Sequence, residues 1–327
     1  LSFPHVCIGS AFKFAKHGQC GHYFSELYPH LAKHADKMAF MRGIRTDNQN
    51  HGPSTLHVTT GSQFPGHASV GSWVSYGLGT PNQNMPAYVV IQDPRGAPVN
   101  GAAIWSNGYL PGAYQGTLLR PKGTPILNLK NATGVDRAQQ RREFDVLKFL
   151  NEEHKKKRGP STELDARINA YELAYRMQSA APELMDISKE PEHIRKLYGL
   201  NEGATAGFGR QCLLARRLVE RGVRCVTVMH ASWDHHSNLD EEITYNATML
   251  DQPAAALVKD LKRRGMLDET LVIWGGEFGR LPVAQKSKKP GRDHNPHALT
   301  YWLAGGGVKG GVSYGETDEI GHKAAVD

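Results

Sequence analysis

The chain has little cysteine and no long apolar run. Its four cysteines, Cys7, Cys20, Cys212 and Cys225, are scattered without Cys-x-x-Cys spacing, which indicates neither a zinc knuckle nor a dense disulfide framework. No stretch approaches the roughly 20 apolar residues of a membrane helix, and the first residues lack a charged start followed by an apolar core. There is no stripe of interleaved basic and aromatic residues and no helix-turn-helix spacing. The net charge of +7, from 39 Lys plus Arg against 32 Asp plus Glu, therefore does not read as a nucleic-acid interface. Much of the excess lies in the runs 155–158 and 286–289, which read as solvated surface.

What remains is a globular composition, 39% hydrophobic and 8% aromatic over 327 residues, with room for a large core. Residues 24–41 carry apolar side chains at helical spacing (Leu27, Leu31, Ala35, Met38) and lead through Ile44 into the polar run 46–51, an order that predicts a helix, a short strand and then a functional loop. Pro53 and Ser54 open a second helix ending near Gly61, and a third is expected over 69–78. Residues 85–91 predict a strand, and the Gly-, Pro- and Asn-rich stretch 93–131 a loop. Two charged helical segments, 135–154 and 162–180, separated by Arg158-Gly159-Pro160, predict a helical insertion within 132–200.

The last third alternates a helix (205–221), a strand (224–229), a helix (about 241–264) and a strand (270–275). Each strand is a nearly continuous apolar run, which argues for an α/β fold with a parallel sheet covered by helices on both faces. Ligands in such sheets bind beyond the C-terminal strand ends. One strand end is followed by His230-Ala-Ser-Trp-Asp-His-His236 and the other by Gly276-Glu-Phe-Gly-Arg280, and a third polar cluster, Gly291-Arg-Asp-His-Asn-Pro-His297, precedes the apolar run 298–304. Imidazoles and carboxylates suit zinc, manganese or iron, and a metal pair roughly 4 Å apart activates a nucleophile while holding the leaving oxygen. Each cluster alone is weak, since Asp-His pairs also cap helices and close turns; their joint placement is what points to metal. His230, His235 and His297 read as supporting or structural residues, and His5, His17, His30, His34 and His154 as surface or packing residues.

The stretches NHGPSTLHVTTG (50–61), SVGSWVSYGLGT (69–80), GFGRQCLLARRLVERGVR (207–224), WDHH (233–236), the run 251–280 ending in GEFGR, GRDH (291–294) and LAGGGVKGGVSYGETD (303–318) together resemble the bacterial family called domain of unknown function 1501. The resemblance implies the alkaline phosphatase-like fold of phosphatases and sulfatases, a doubly wound, mostly parallel sheet sandwiched by helices, with a binuclear metal site. It implies Asp234 and His236 as ligands of one metal, Glu277 as the counterpart of an Asp at a strand end, His294 as a late histidine ligand and Asp293 beside it as a weaker candidate. Phe278 stands where the superfamily has a second His. The expected cofactor is a divalent metal, zinc first and manganese or calcium otherwise.

By the same resemblance, Ser54 or Thr55, at a helix start where free N–H groups favour a phosphate or sulfate, are the expected nucleophiles. His51 and Arg280 join them as catalytic residues, and Asn50 and Arg292 as substrate-binding ones. The alternative for Ser54 is a capping residue. The Cys/Ser-x-Pro-x-Arg signature of formylglycine sulfatases is absent. The expectation is one domain over 1–327, cut at both ends, exported or periplasmic by resemblance, and acting on a small-molecule or polysaccharide ester of phosphate or sulfate. The rival reading is a non-catalytic module binding an anionic polysaccharide or a protein.

Overall fold

The computed structural model describes residues 5–120, 126, 131, 133–285 and 287–326 of the chain; the remainder of the expected 93–131 loop, the start of the 132–200 insertion and Lys286 lie outside the described residues. Two sheets carry the fold. In the first, the strand Tyr88–Ile91 lies between Thr117–Leu119 and Cys225–Val228 and is parallel to both. All four of its residues are buried, as an apolar strand covered on both faces must be. In the second, the order is Val312–Tyr314, Met38–Ile44, Leu299–Ala304, Val272–Trp274.

The protein is thus mixed α/β: the first sheet is parallel, and the second is mixed, with Val312–Tyr314 parallel to Met38–Ile44. Leu299–Ala304 runs antiparallel to both Met38–Ile44 and Val272–Trp274. This direction reversal has a consequence for the site. The C-terminal ends of Met38–Ile44 and Val272–Trp274, and the N-terminal end of Leu299–Ala304, all lie at the same end of that sheet.

The expected helix over 24–41 is reduced to a 3-10 helix, Leu31–Lys37, preceded by a hairpin of Phe14–His17 with His22–Ser25, and the short strand expected before the polar loop is Met38–Ile44. Gly18 and Gly21, with φ of 67° and 68°, supply the left-handed positions of the hairpin turn. Within the second hairpin strand His22 and Phe24 are buried and Tyr23 is exposed, a period of two that the neighbouring helical spacing masked. Leu31, Ala35 and Met38 are buried as that spacing required, but over a seven-residue 3-10 helix and a strand start.

The helices 51–60 and 70–78 form as expected. The stretch 93–131 holds the short strand Thr117–Leu119 and two 3-10 turns besides loop. The two insertion helices are Arg137–Arg158 and Thr162–Met185, joined by a fork of Arg141 on Glu172 at 2.8 and 2.7 Å. Helix Ala206–Glu220 packs Cys212, Leu213 and Leu218 against Met177, Leu184 and Tyr198. The long helix Leu239–Arg263 packs Ala254, Ala255 and Val258 against Leu31, Ala32 and Ala35. Its first turn carries Asp240, Glu241 and Glu242 and its last Lys262 and Arg263, both favourable to the helix dipole. The four cysteines are free. Among the described residues no helix is long and apolar enough to cross a membrane.

Candidate metal centre

Four segments meet at one end of the second sheet. His51 begins the helix that follows the strand Met38–Ile44, and Glu277 follows the strand Val272–Trp274. His294 lies in the two-residue strand His294–Asn295, which pairs with Gly279–Arg280 and leads into Leu299–Ala304. Asp234 and His236 arrive from the first sheet, in the loop after Cys225–Val228.

His51, Asp234 and His294 bring ligand atoms within 4.8 Å of one another. The three imidazoles around Asp234 share one pattern. Nδ1 of His51 lies 2.8 Å from Glu277 Oε1, Nδ1 of His236 lies 2.8 Å from Asp293 Oδ1, and Nδ1 of His294 lies 2.6 Å from the Gln49 carbonyl oxygen. Each Nε2 turns inward: that of His51 is 3.1 Å from Asp234 Oδ2, and those of His236 and His294 are both 2.9 Å from Asp234 Oδ1. The Nε2 atoms of His236 and His294 are 3.1 Å apart.

A neutral imidazole has one N–H, and here an outer oxygen takes it at Nδ1. The inner nitrogens then present lone pairs to a carboxylate, an arrangement that requires protons or a cation among them. Outer oxygens that fix histidine tautomers are the usual support of metal-binding imidazoles. The donor set therefore fits a divalent metal held by nitrogen and oxygen, zinc or manganese better than calcium, which takes oxygen ligands.

The surroundings reinforce this array. Arg280 donates through Nη2 to Asp234 Oδ1 at 2.7 Å and to the Trp233 carbonyl at 3.0 Å. Burial pushes the Asp234 carboxyl up, but the contacts of His294, Arg280 and His51, in which the two imidazoles donate only when protonated at Nε2, outweigh it and hold the group well below the usual carboxylate range. The Phe278 ring, buried, sits 4.3 Å from His294 and 5.0 Å from His51 between centroids and forms an apolar wall. The other side is open, with the Asp234 and His236 side chains 41% and 47% exposed.

The loop bearing Asp234 and His236 is braced from the first sheet. Asp93, just beyond the strand Tyr88–Ile91 and only 3% exposed, accepts from Arg95 and from the Ala231 N–H at 2.7 Å. Arg95 donates in turn to the Ala231 carbonyl at 2.7 Å and to Asn246 Oδ1 at 2.9 Å, and Asn246 donates to the Ser232 carbonyl at 2.5 Å. These contacts hold Ser232 at φ 67°, a left-handed conformation uncommon for a side-chain-bearing residue. Burial first, and then the Arg95 guanidinium, push the His230 imidazole down to about 4, so it is neutral at pH 7 and its Nδ1 accepts from Trp233 Nε1 at 2.9 Å. On the opposite flank Gly291 approaches the backbone of His236 so closely that a Cβ there would lie 2.3 Å from the His236 carbonyl oxygen.

Asp234, His236 and His294 thus come together as the sequence implied. Glu277 and Asp293 stand behind His51 and His236 as hydrogen-bond acceptors, and His51 stands where a ligand was expected of Glu277. Ser54 is fully buried and donates to the Asn48 carbonyl at 2.6 Å, while Thr55 donates to the His51 carbonyl at 2.5 Å. Asn50 is the N-cap residue of the helix, without a side-chain capping bond. Arg292 donates to the Leu281 and Ile8 carbonyls, both at 2.8 Å, and so ties loops together. His235 is buried and its carbonyl accepts the Arg292 N–H at 2.9 Å. Sequence reasoning missed the Gln49 carbonyl, which no side-chain pattern can reveal, and the Asp93–Arg95 brace, whose available signal was its place at a strand end.

Fold and site define a mixed α/β protein with a His/Asp/His constellation built from both sheets. The chain belongs to the family described as Protein of unknown function (DUF1501), which matches residues 3–327. No curated protein and no solved structure matches it.

Proposed function

We propose that this chain is a divalent-metal-dependent hydrolase of phosphate or sulfate esters, of the alkaline phosphatase-like kind, with its metal held by His51, Asp234 and His294 and with His236 beside them. The observation that carries the reading is the shared orientation of three imidazoles, each tied at Nδ1 to an outer oxygen and each turning Nε2 to Asp234. A bound divalent ion supplies Lewis acidity toward an ester oxygen.

The chain's own groups do the rest. Glu277, Asp293 and the Gln49 carbonyl hold the imidazoles in one tautomer. Arg280 neutralises Asp234 and adds positive potential for an anionic ester. Phe278 keeps water from the inner side of the site. The backbone bonds of Ser54 and Thr55 favour helix-start roles for both hydroxyls, so the reading does not depend on a covalent intermediate.

The test is metal content by plasma mass spectrometry of the purified chain and of His294→Ala, followed by a screen of phosphate and sulfate monoesters. About one equivalent of zinc or manganese, lost in the variant together with turnover, is the expected result. Stoichiometric metal that survives His294→Ala and Asp234→Ala would sink the ligand assignment.

A further inference from the structure

A cleft of about 390 Å³ opens away from this centre, between the 3-10 helix Leu31–Lys37, the short helix Glu192–Leu197 and the C-terminal half of Leu239–Arg263. Its volume is within the range of small-molecule sites, about 300–1,000 Å³. Each wall contributes basic groups: Lys33 and His34 from the first element, His193 and Lys196 from the second, Lys259 and Arg263 from the third. His30 stands at the rim, and Ala255 and Ala256 form an apolar part of the lining.

The basic groups of the cleft outnumber the acid near them: the carboxyl of Asp251, which interacts with His30 and Lys33, lies outside the lining. Among the described residues no carboxylate lines it, and Lys33, Lys196, Lys259 and Arg263 have no carboxylate within salt-bridge distance. Asp251, on the same long helix, is buried and accepts from the backbone N–H groups of His30 and Leu31, both at 2.8 Å, so its oxygens are already engaged. Nδ1 of His34 is buried without a hydrogen-bond partner. Burial, and then Lys37, Lys259 and Lys33, push that imidazole down to about 4, so His34 adds no charge to the lysines and the arginine at neutral pH. Four like charges brought by three separate elements into one concavity repel one another unless an anion sits among them.

We propose that this cleft binds a compact polyanion, a small molecule bearing two or more phosphate or sulfate groups, at a site separate from the His51–Asp234–His294 centre. The separation follows from the long helix. Leu239 begins it beside the loop of His236, and Ala255 lies sixteen residues on, about 24 Å at 1.5 Å per residue. The cations surround a pocket and form no stripe, and no Phe, Tyr or Trp lines it for base stacking, so a small ligand fits better than a nucleic-acid strand.

The experiment is titration calorimetry of the full chain with tripolyphosphate and, separately, with sucrose octasulfate, at about 0.02 M and about 0.15 M salt. Binding of either probe, weakened about tenfold or more by Lys196→Glu with Lys259→Glu, is the expected result. The probe that binds more tightly tells a phosphate from a sulfate ligand. Lys157→Glu with Arg158→Glu, in the basic run of the insertion, and Asp234→Asn, at the metal centre, leave that affinity unchanged; the second variant also separates failure here from failure of the hydrolase reading. If the first double variant does not fold by circular dichroism, Lys33→Gln with Arg263→Gln reads the same cleft. No binding of either probe, or an equal loss in the Lys157/Arg158 variant, overturns the proposal.

Discussion

The imidazole of His294 is held at both ends, with Nδ1 2.6 Å from the Gln49 carbonyl oxygen and Nε2 2.9 Å from Asp234 Oδ1. Asp234 is the acceptor on which the other rings converge as well, so it is the residue whose loss costs the centre most. Asp234→Ala is expected to remove metal binding and turnover together. Metal content measured beside far-UV circular dichroism checks this, and a fully metallated Asp234→Ala would contradict it.

Under the proposed function, Glu277 and Asp293 would act on a bound metal only through His51 and His236, to whose Nδ1 atoms they are hydrogen-bonded. Substituting an outer partner of this kind weakens metal affinity about 10- to 100-fold without abolishing it. Glu277→Ala is therefore expected to shift a competition titration with a chromophoric chelator by that amount and to keep full stoichiometry at saturating metal. Glu277→Gln, which retains an acceptor oxygen for His51 Nδ1, should recover part of the loss. If Glu277→Ala and His51→Ala are equally devoid of metal, Glu277 is itself a ligand.

Ser54→Ala leaves the Asn48 carbonyl without its donor at 2.6 Å. The expected outcome is a loss of about 1 kcal/mol in stability by denaturant melt, with ester turnover retained. Unchanged stability with turnover abolished would restore Ser54 as the nucleophile.

Gly291 and Gly276 make a matched pair beside the centre. A Cβ at Gly291 collides with the His236 backbone, whereas at Gly276 the nearest surrounding atom is 4.0 Å away. Gly291→Ala should displace the His236 loop and lower metal affinity, and Gly276→Ala should not. Crystal structures or chelator titrations of the two variants decide the point.

The Asp93 brace sets an acid dependence. Burial pushes its carboxyl up, but bonds from Arg95 and the Ala231 N–H outweigh this and leave it below its ordinary value of 3.8. A group lowered on folding stabilises the native state above its unfolded value, and that contribution disappears as pH falls through the folded value. The difference in melting temperature between the native chain and Asp93→Asn should therefore be full near neutral pH and shrink below pH 3.8. A difference that grows in acid would reverse the sign of the argument.

The last third of the fold was legible because each element is long or uniformly apolar. The helix expected over 205–221 is Ala206–Glu220, and the strand expected over 224–229 is Cys225–Val228. Within 24–41 the helix was overextended because Leu31, Ala35 and Met38 keep helical spacing although they belong to a 3-10 helix and the strand after it. At the site, acid and imidazole residues at strand ends could be found from sequence. Which rings turn inward and which groups stand behind them could not, because that depends on the side of each ring that meets Asp234. The Gln49 carbonyl carries no side-chain signal at all.

The bond from His294 to Gln49 spans 245 residues of chain, and that from His51 to Glu277 spans 226. A cation seated among these rings would be a crosslink between the chain's two ends, closing a loop that takes in most of the molecule. Its affinity would then be a measure of folding as much as of coordination. Chelation should show itself far from the centre, as faster proteolysis and faster amide exchange throughout the sheets that the crosslink joins.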